Sequence, residues 1–131
     1  MKLEQHNDLT TLLARVFMSS LFILYGYFKI TAFAGTTGYM AGKGLPIPSL
    51  MAAIAVAVEL GGGLLILIGY QTRLVALILA IYVVLSALIA HRALGDPGQL
   101  NHFFKNMAIT GGFLALMASG AGRYSLDARN S

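Results

Sequence analysis

The stretch PSLMAAIAVAVELGGGLLILIGYQTRLVALILAIYVVLSALIA, residues 48–90, decides the fold. It holds two apolar runs, 48–70 and 73–91, parted only by the turn Tyr70–Arg73. A helix rises about 1.5 Å per residue, so roughly 20 apolar residues cross a hydrocarbon core of about 30 Å. A connection this short makes the two helices antiparallel neighbours. Pro48 suits a first helical turn, and the first of the two helices runs to about Gly69.

Two further apolar runs lie outward of this pair, at about 9–33 and 104–121. Four such segments in 131 residues leave too little polar surface for a life in water. Hydrophobic residues make up 57% of the chain and charged residues 11%, against about 25% charged in ordinary soluble domains. The expected fold class is therefore all-α, an integral membrane four-helix up-down-up-down bundle. An even number of spans places both termini on one side. The distribution of Lys and Arg slightly favours the cytoplasmic side for them. Ala32-Phe33-Ala34 resembles a signal-cleavage site, but Arg15 and Lys29 interrupt the apolar segment before it, so the first segment is read as retained.

The net charge is +4, yet the nine Lys and Arg residues stand singly, so nucleic acid is not an expected partner. The absence of cysteine excludes a dithiol centre and cysteine-ligated metal. His91, Asp96 and His102 flank one loop, but their spacing fits no recognised metal motif, and no metal is expected. Asp8, Thr10 and Thr11 are plausible N-caps for the first helix. Residues 34–47 read as a loop that holds a short interfacial helix near Thr37–Ala41. Gly95-Asp96-Pro97-Gly98 reads as a turn, with the last helix beginning near Phe103. Ala57/Gly61 and Ala108/Gly112 read as small-residue contacts between helices.

The chemistry concentrates in a few charged groups inside the apolar runs. Glu59 lies near mid-span, where a carboxylate costs about 2.5–3.5 kcal/mol and needs a proton or a cation. Arg15 is its expected partner. Arg15, Ser19, Phe22, Gly26 and Lys29 share one face of the first helix, and this face is expected to look inward. Lys29 is expected to snorkel to the interface. Lys105 and Asn106 are read either as interfacial anchors or as an inward-facing cationic rim with Lys29. No nucleophile–base pair, phosphate-binding loop or carboxylate pair is present, so the chain has no catalytic motif of its own.

These residues resemble the DoxX family of small bacterial membrane proteins. The resemblance is carried by Arg15 and the run "YGYFKI", by "GLPIP", by "VELGGGLLILIGYQTRLVALIL", by "FFKNMAITGGFLAL" and by the tail "GAGRYSLD". It implies one DoxX-like transmembrane domain over residues 1–131, multi-pass in a bacterial inner membrane. It also implies a redox or stress-related setting, since named relatives are associated with thiosulfate:quinone oxidoreductases and with complexes for oxidative or thiol stress. The family's recurring polar residues fall here on Arg15, Lys29, Glu59, Arg73, Lys105, Asn106, Ser125 and Asp127. Arg73 is expected at the headgroups, and Ser125 and Asp127 are expected to cap or dock the tail.

Three functions follow as expectations. The first is a lipophilic-ligand protein, with quinone as the cofactor class and Arg15, Lys29, Glu59, Lys105 and Asn106 as binding residues; as an enzyme it is at most a subunit of a quinone-linked oxidoreductase. The second is a non-catalytic scaffold that recruits a redox or stress partner. The third is a small transporter or channel, which requires a homo-oligomer. Membrane lipids are partners in all three.

Overall fold

The computed structural model describes residues 3–90 and 95–129, and among them every regular element is helical. Helix α1 is Leu3–Thr31, α2 is Phe33–Gly42, α3 is Pro48–Val56, α4 is Gly62–Ile68, α5 is Thr72–Ala90, α6 is Pro97–Ser119 and α7 is Leu126–Arg129. A π-helical turn, Ala57–Gly61, joins α3 to α4 without a break. Among the described residues, three helices are by length and composition apolar enough to cross a membrane: Asn7–Thr31, Pro48–Ile68 and Thr72–Ala90. Helix α6 is 23 residues long and carries Lys105 and Asn106 near its start.

The helix boundaries follow local chemistry. Pro48 occupies the first turn of α3, after Ile47 in a left-handed conformation. Gly69 closes α4 with a positive φ of 73°, and the N–H groups of Gly69 and Tyr70 both donate to the Leu65 carbonyl. Three boundaries differ from expectation. Helix α6 starts at Pro97, not near Phe103, because the Asp96 side chain accepts from the Gly98 N–H and Pro97 is tolerated in the first turn. Asp8, Thr10 and Thr11 lie inside α1, and Thr11 donates back to the Asn7 carbonyl. The short helix expected near Thr37–Ala41 is a full ten residues, Phe33–Gly42, of which only Met40 is buried.

The helices meet along stripes set by the 3.6-residue repeat. On α5, Thr72, Val75, Ala76, Leu79, Ala80, Val83 and Ala87 are buried. Of these, Val75, Ala76, Leu79, Ala80 and Val83 form one core with Phe113 and Leu116 of α6 and Ile66 of α4. Phe22 of α1 meets Phe113 of α6 edge-on, with ring centroids 5.4 Å apart. Of the expected small-residue positions, Gly112 faces Met18 of α1, where a Cβ would lie 3.3 Å from its Cε, but the tightest backbone approach is at Gly26. A Cβ on Gly61 would meet open space, whereas one on Gly26 would lie 2.8 Å from the Leu60 backbone nitrogen. Outside these stripes the surface is apolar: Phe17, Leu24, Tyr27, Phe28, Leu74, Ile81 and Leu85 are all exposed. A continuous apolar exterior of this kind is the surface a lipid solvent requires.

Candidate functional site

The inward stripe of α1 is as expected: Arg15, Ser19, Phe22 and Gly26 are buried and Lys29 is half-buried. The pairing along it is not. Arg15 does not meet Glu59. Its guanidinium donates to the carbonyls of Ile66 and Leu67 at the end of α4, and of Ala121 and Tyr124 in the tail. The last carbonyls of a helix have no partner within it. A fork of five N–H donors satisfies several at once and places a cation at the negative end of the helix dipole.

The same end of the molecule carries three related contacts. Arg73 donates to the carbonyls of Met117, Ala118 and Ser119 at the end of α6 and so caps that helix. Asp127 accepts from the N–H groups of Gln71 and Thr72 and so caps the start of α5 from another helix. Burial pushes its carboxyl up, but hydrogen bonds from Thr72 and Gln71 and the nearby Arg15 charge outweigh that and hold it below the usual carboxylate value. Asp8 accepts from the Arg123 N–H, which ties the two chain ends together.

Glu59 pairs with Lys29 instead. Nζ lies 2.9 Å from Oε1, with the Lys29 side chain 30% and the Glu59 side chain 7% exposed. This overturns snorkelling for Lys29: an unpaired carboxylate within reach is a stronger attractor than the interface. The Lys29 ammonium also lies 5.8 Å from the centre of the Tyr25 ring. The Tyr82 hydroxyl donates a hydrogen bond to Glu59 Oε2. Glu59 sits in the π-helical turn, where one extra residue per turn re-aims side chains; such turns recur at functional sites.

Lys29, Glu59 and Tyr82 lie on the wall of a cleft of about 920 Å³. Most of the remaining wall is apolar, from Leu21, Phe22, Met51, Ile54, Val83, Leu85 and Ile109 among others. Lys105, Asn106 and His102 of α6 line it too, and α2 covers one side through Gly35, Thr36, Tyr39 and Met40. The structure thus brings four expected residues, Lys29, Glu59, Lys105 and Asn106, to one cleft and puts Arg15 elsewhere. Tyr82 was not among the expected site residues. A phenol in the middle of α5, whose residues from Leu74 onward are otherwise aliphatic apart from Ser86, is the signal that points to it. His91 and Arg92 lie outside the described residues. No three His, Cys, Asp or Glu side chains cluster among the described ones.

The arrangement is an apolar slot of ligand size with a few convergent polar groups on its wall. The DoxX family profile matches residues 10–92. The chain is 40% identical over 125 residues, 95% of each chain, to the inner membrane protein YqjF of Escherichia coli (strain K12). It is 40% identical over 124 residues to the inner membrane protein YphA of the same organism, covering 90% of this chain and 88% of that one. It is also 36% identical over 74 residues to CatD of Bacillus subtilis (strain 168), which is provisionally named an oxidoreductase; that match covers 56% of this chain and 54% of CatD. No solved structure matches.

Proposed function

The chain belongs to the DoxX family, and from that premise we propose that it is an inner-membrane protein whose cleft binds a lipophilic ligand of the quinone class. One observation carries this reading: the Glu59–Lys29 ion pair, with the Tyr82 hydroxyl, lies on the wall of an otherwise apolar cleft. Ionisable groups at membrane depth are costly, and they are kept where they serve a ligand or a proton. The cleft volume of about 920 Å³ falls within the roughly 300–1,000 Å³ of small-molecule sites. Its apolar walls suit a prenyl or alkyl chain, and its polar groups suit a small oxygenated ring. The oxidoreductase name of CatD favours a redox setting over a scaffold.

In this reading α6 is a fourth crossing beside the three more apolar ones. Lys105 and Asn106 then line the cleft near the start of that crossing. Arg15 serves the fold and not the ligand, because its donors are already committed to four carbonyls.

Mass spectrometry of small molecules extracted from the purified protein tests the proposal. The expected result is a prenylated aromatic compound in near-stoichiometric amount. Gly35→Trp supplies the contrast. Gly35 lines the cleft on α2, and a Cβ there meets nothing within 4 Å. The bulky ring enters the cleft without displacing the backbone, so the ligand is lost while the melting profile stays. Retention of ligand by folded Gly35→Trp, or its absence from both proteins, refutes the assignment.

A further inference from the structure

We infer that the cleft selects the reduced, hydroxyl-bearing state of its ligand over the oxidised state: a quinol head in preference to a quinone head. The inference rests on the reading of the cleft as a quinone-class site, and it concerns which oxidation state that site holds. It follows from counting donors and acceptors around Glu59, the acceptor-only group of the cleft wall.

Glu59 is an acceptor only. One oxygen accepts from Lys29 and the other from Tyr82. A carboxylate has about four lone-pair sites, so two remain for a ligand. The Tyr82 hydroxyl has a single proton, and Glu59 takes it, while its oxygen is engaged by the Ser86 hydroxyl. Lys29 has three donors, one of which goes to Glu59. The group therefore offers a ligand spare acceptors from Glu59 and spare donors from Lys29.

A quinone carbonyl can only accept. It takes a hydrogen bond from Lys29 and leaves the spare lone pairs of Glu59 without a donor. A quinol hydroxyl can accept from Lys29 and also donate to Glu59. A hydroxyl-to-carboxylate bond is charge-assisted and stronger than a neutral one. The Glu59 side chain is only 7% exposed, and a ligand in the cleft displaces the water that could otherwise reach it. An acceptor shut off from water without a donor loses its solvation, so the two ligand states should differ in affinity by at least about tenfold.

The test uses one short-chain ubiquinone analogue in three forms: oxidised, reduced under anaerobic conditions, and reduced then O-methylated. Each is titrated into the purified protein in detergent. The expected result is that the reduced form binds at least about tenfold more tightly than the oxidised form. The O-methylated form, which has lost its O–H donors, binds no better than the oxidised one. In Glu59→Gln the preference collapses to within about twofold, because an amide now supplies a donor as well as an acceptor. Equal affinity of the oxidised and reduced forms overturns the inference and leaves the quinone-class reading standing. So does tight binding of the O-methylated form. A preference that survives unchanged in folded Glu59→Gln also overturns it. If no form binds the folded protein, the quinone-class reading fails and the inference falls with it. The comparison of three ligands needs no variant, so the outcome stands whether or not Glu59→Gln folds.

Discussion

Two charged residues on one face of α1 have opposite duties. Arg15 is 1% exposed, and its hydrogen bonds all go to backbone carbonyls, two at the end of α4 and two in the tail. Arg15→Met removes the donors and leaves those carbonyls in an apolar setting. The expected loss is about 3–5 kcal/mol, read as a lowered melting temperature in detergent. Arg15→Lys recovers only part of it, since an ammonium cannot span the same fork. Asp127 makes a prediction in pH. Its carboxyl is held below the usual value in the folded chain, so its stabilisation is full above the unfolded value of about 3.9 and disappears as pH falls through the folded value. Melting of the wild type should decline below about pH 4. Asp127→Asn should melt lower at neutral pH and converge on the wild type in acid. Melting curves that stay parallel across the range would refute this. The arginine's inward direction is readable from the spacing Arg15–Phe22–Lys29. Its partner is not, because a carboxylate on one helix and carbonyls at the end of another compete for the same donor, and only their distances choose.

Helix packing turns on where backbone approaches backbone. Gly26 faces the π-helical turn, and a Cβ there would fall 2.8 Å from the Leu60 nitrogen and 3.0 Å from its Cα. Neither atom can swing aside, so Gly26→Ala should separate α1 from that turn at a cost of about 1–3 kcal/mol. Gly61→Ala faces open space and should change stability by less than about 0.5 kcal/mol. Thermal melting of the two variants side by side decides the point, and equal destabilisation would sink the packing argument. Gly69 is constrained twice, by its positive φ and by the Ser125 Cβ, which a Cβ on Gly69 would strike. Apolar run lengths were enough to place α1, the Pro48–Ile68 helix and α5 to within a few residues at most ends. The π-helical turn escaped such a reading, because one extra residue leaves no mark in an apolar run. The start of α6 escaped too, since Gly95-Asp96-Pro97-Gly98 serves equally as a turn and as a capped helix start.

For the molecule as a whole, the polar contacts divide between two regions. One gathers the chain ends, the turn between α4 and α5 and the clamps of Arg15, Arg73 and Asp127. The other holds the cleft with Lys29, Glu59 and Tyr82. The proposed four crossings put these regions toward opposite faces of the membrane. The chain contains no cysteine, so any introduced one is a unique label. Asn7→Cys and Arg129→Cys should react with an impermeant thiol reagent from one side, and Lys43→Cys from the other. Labelling of all three from one side would refute the crossing pattern. Composition and run length by themselves determined that this protein is helical and lives in lipid, because hydrocarbon tolerates only apolar surface and internally bonded backbone. They also marked Glu59 as chemically exceptional. Only the tertiary structure decided that Lys29 is its partner, that Tyr82 joins them and that Arg15 ties helix ends together. Burial cost depends on a residue's own type, but a hydrogen bond depends on the position of a second group, and that position is set by how the helices pack.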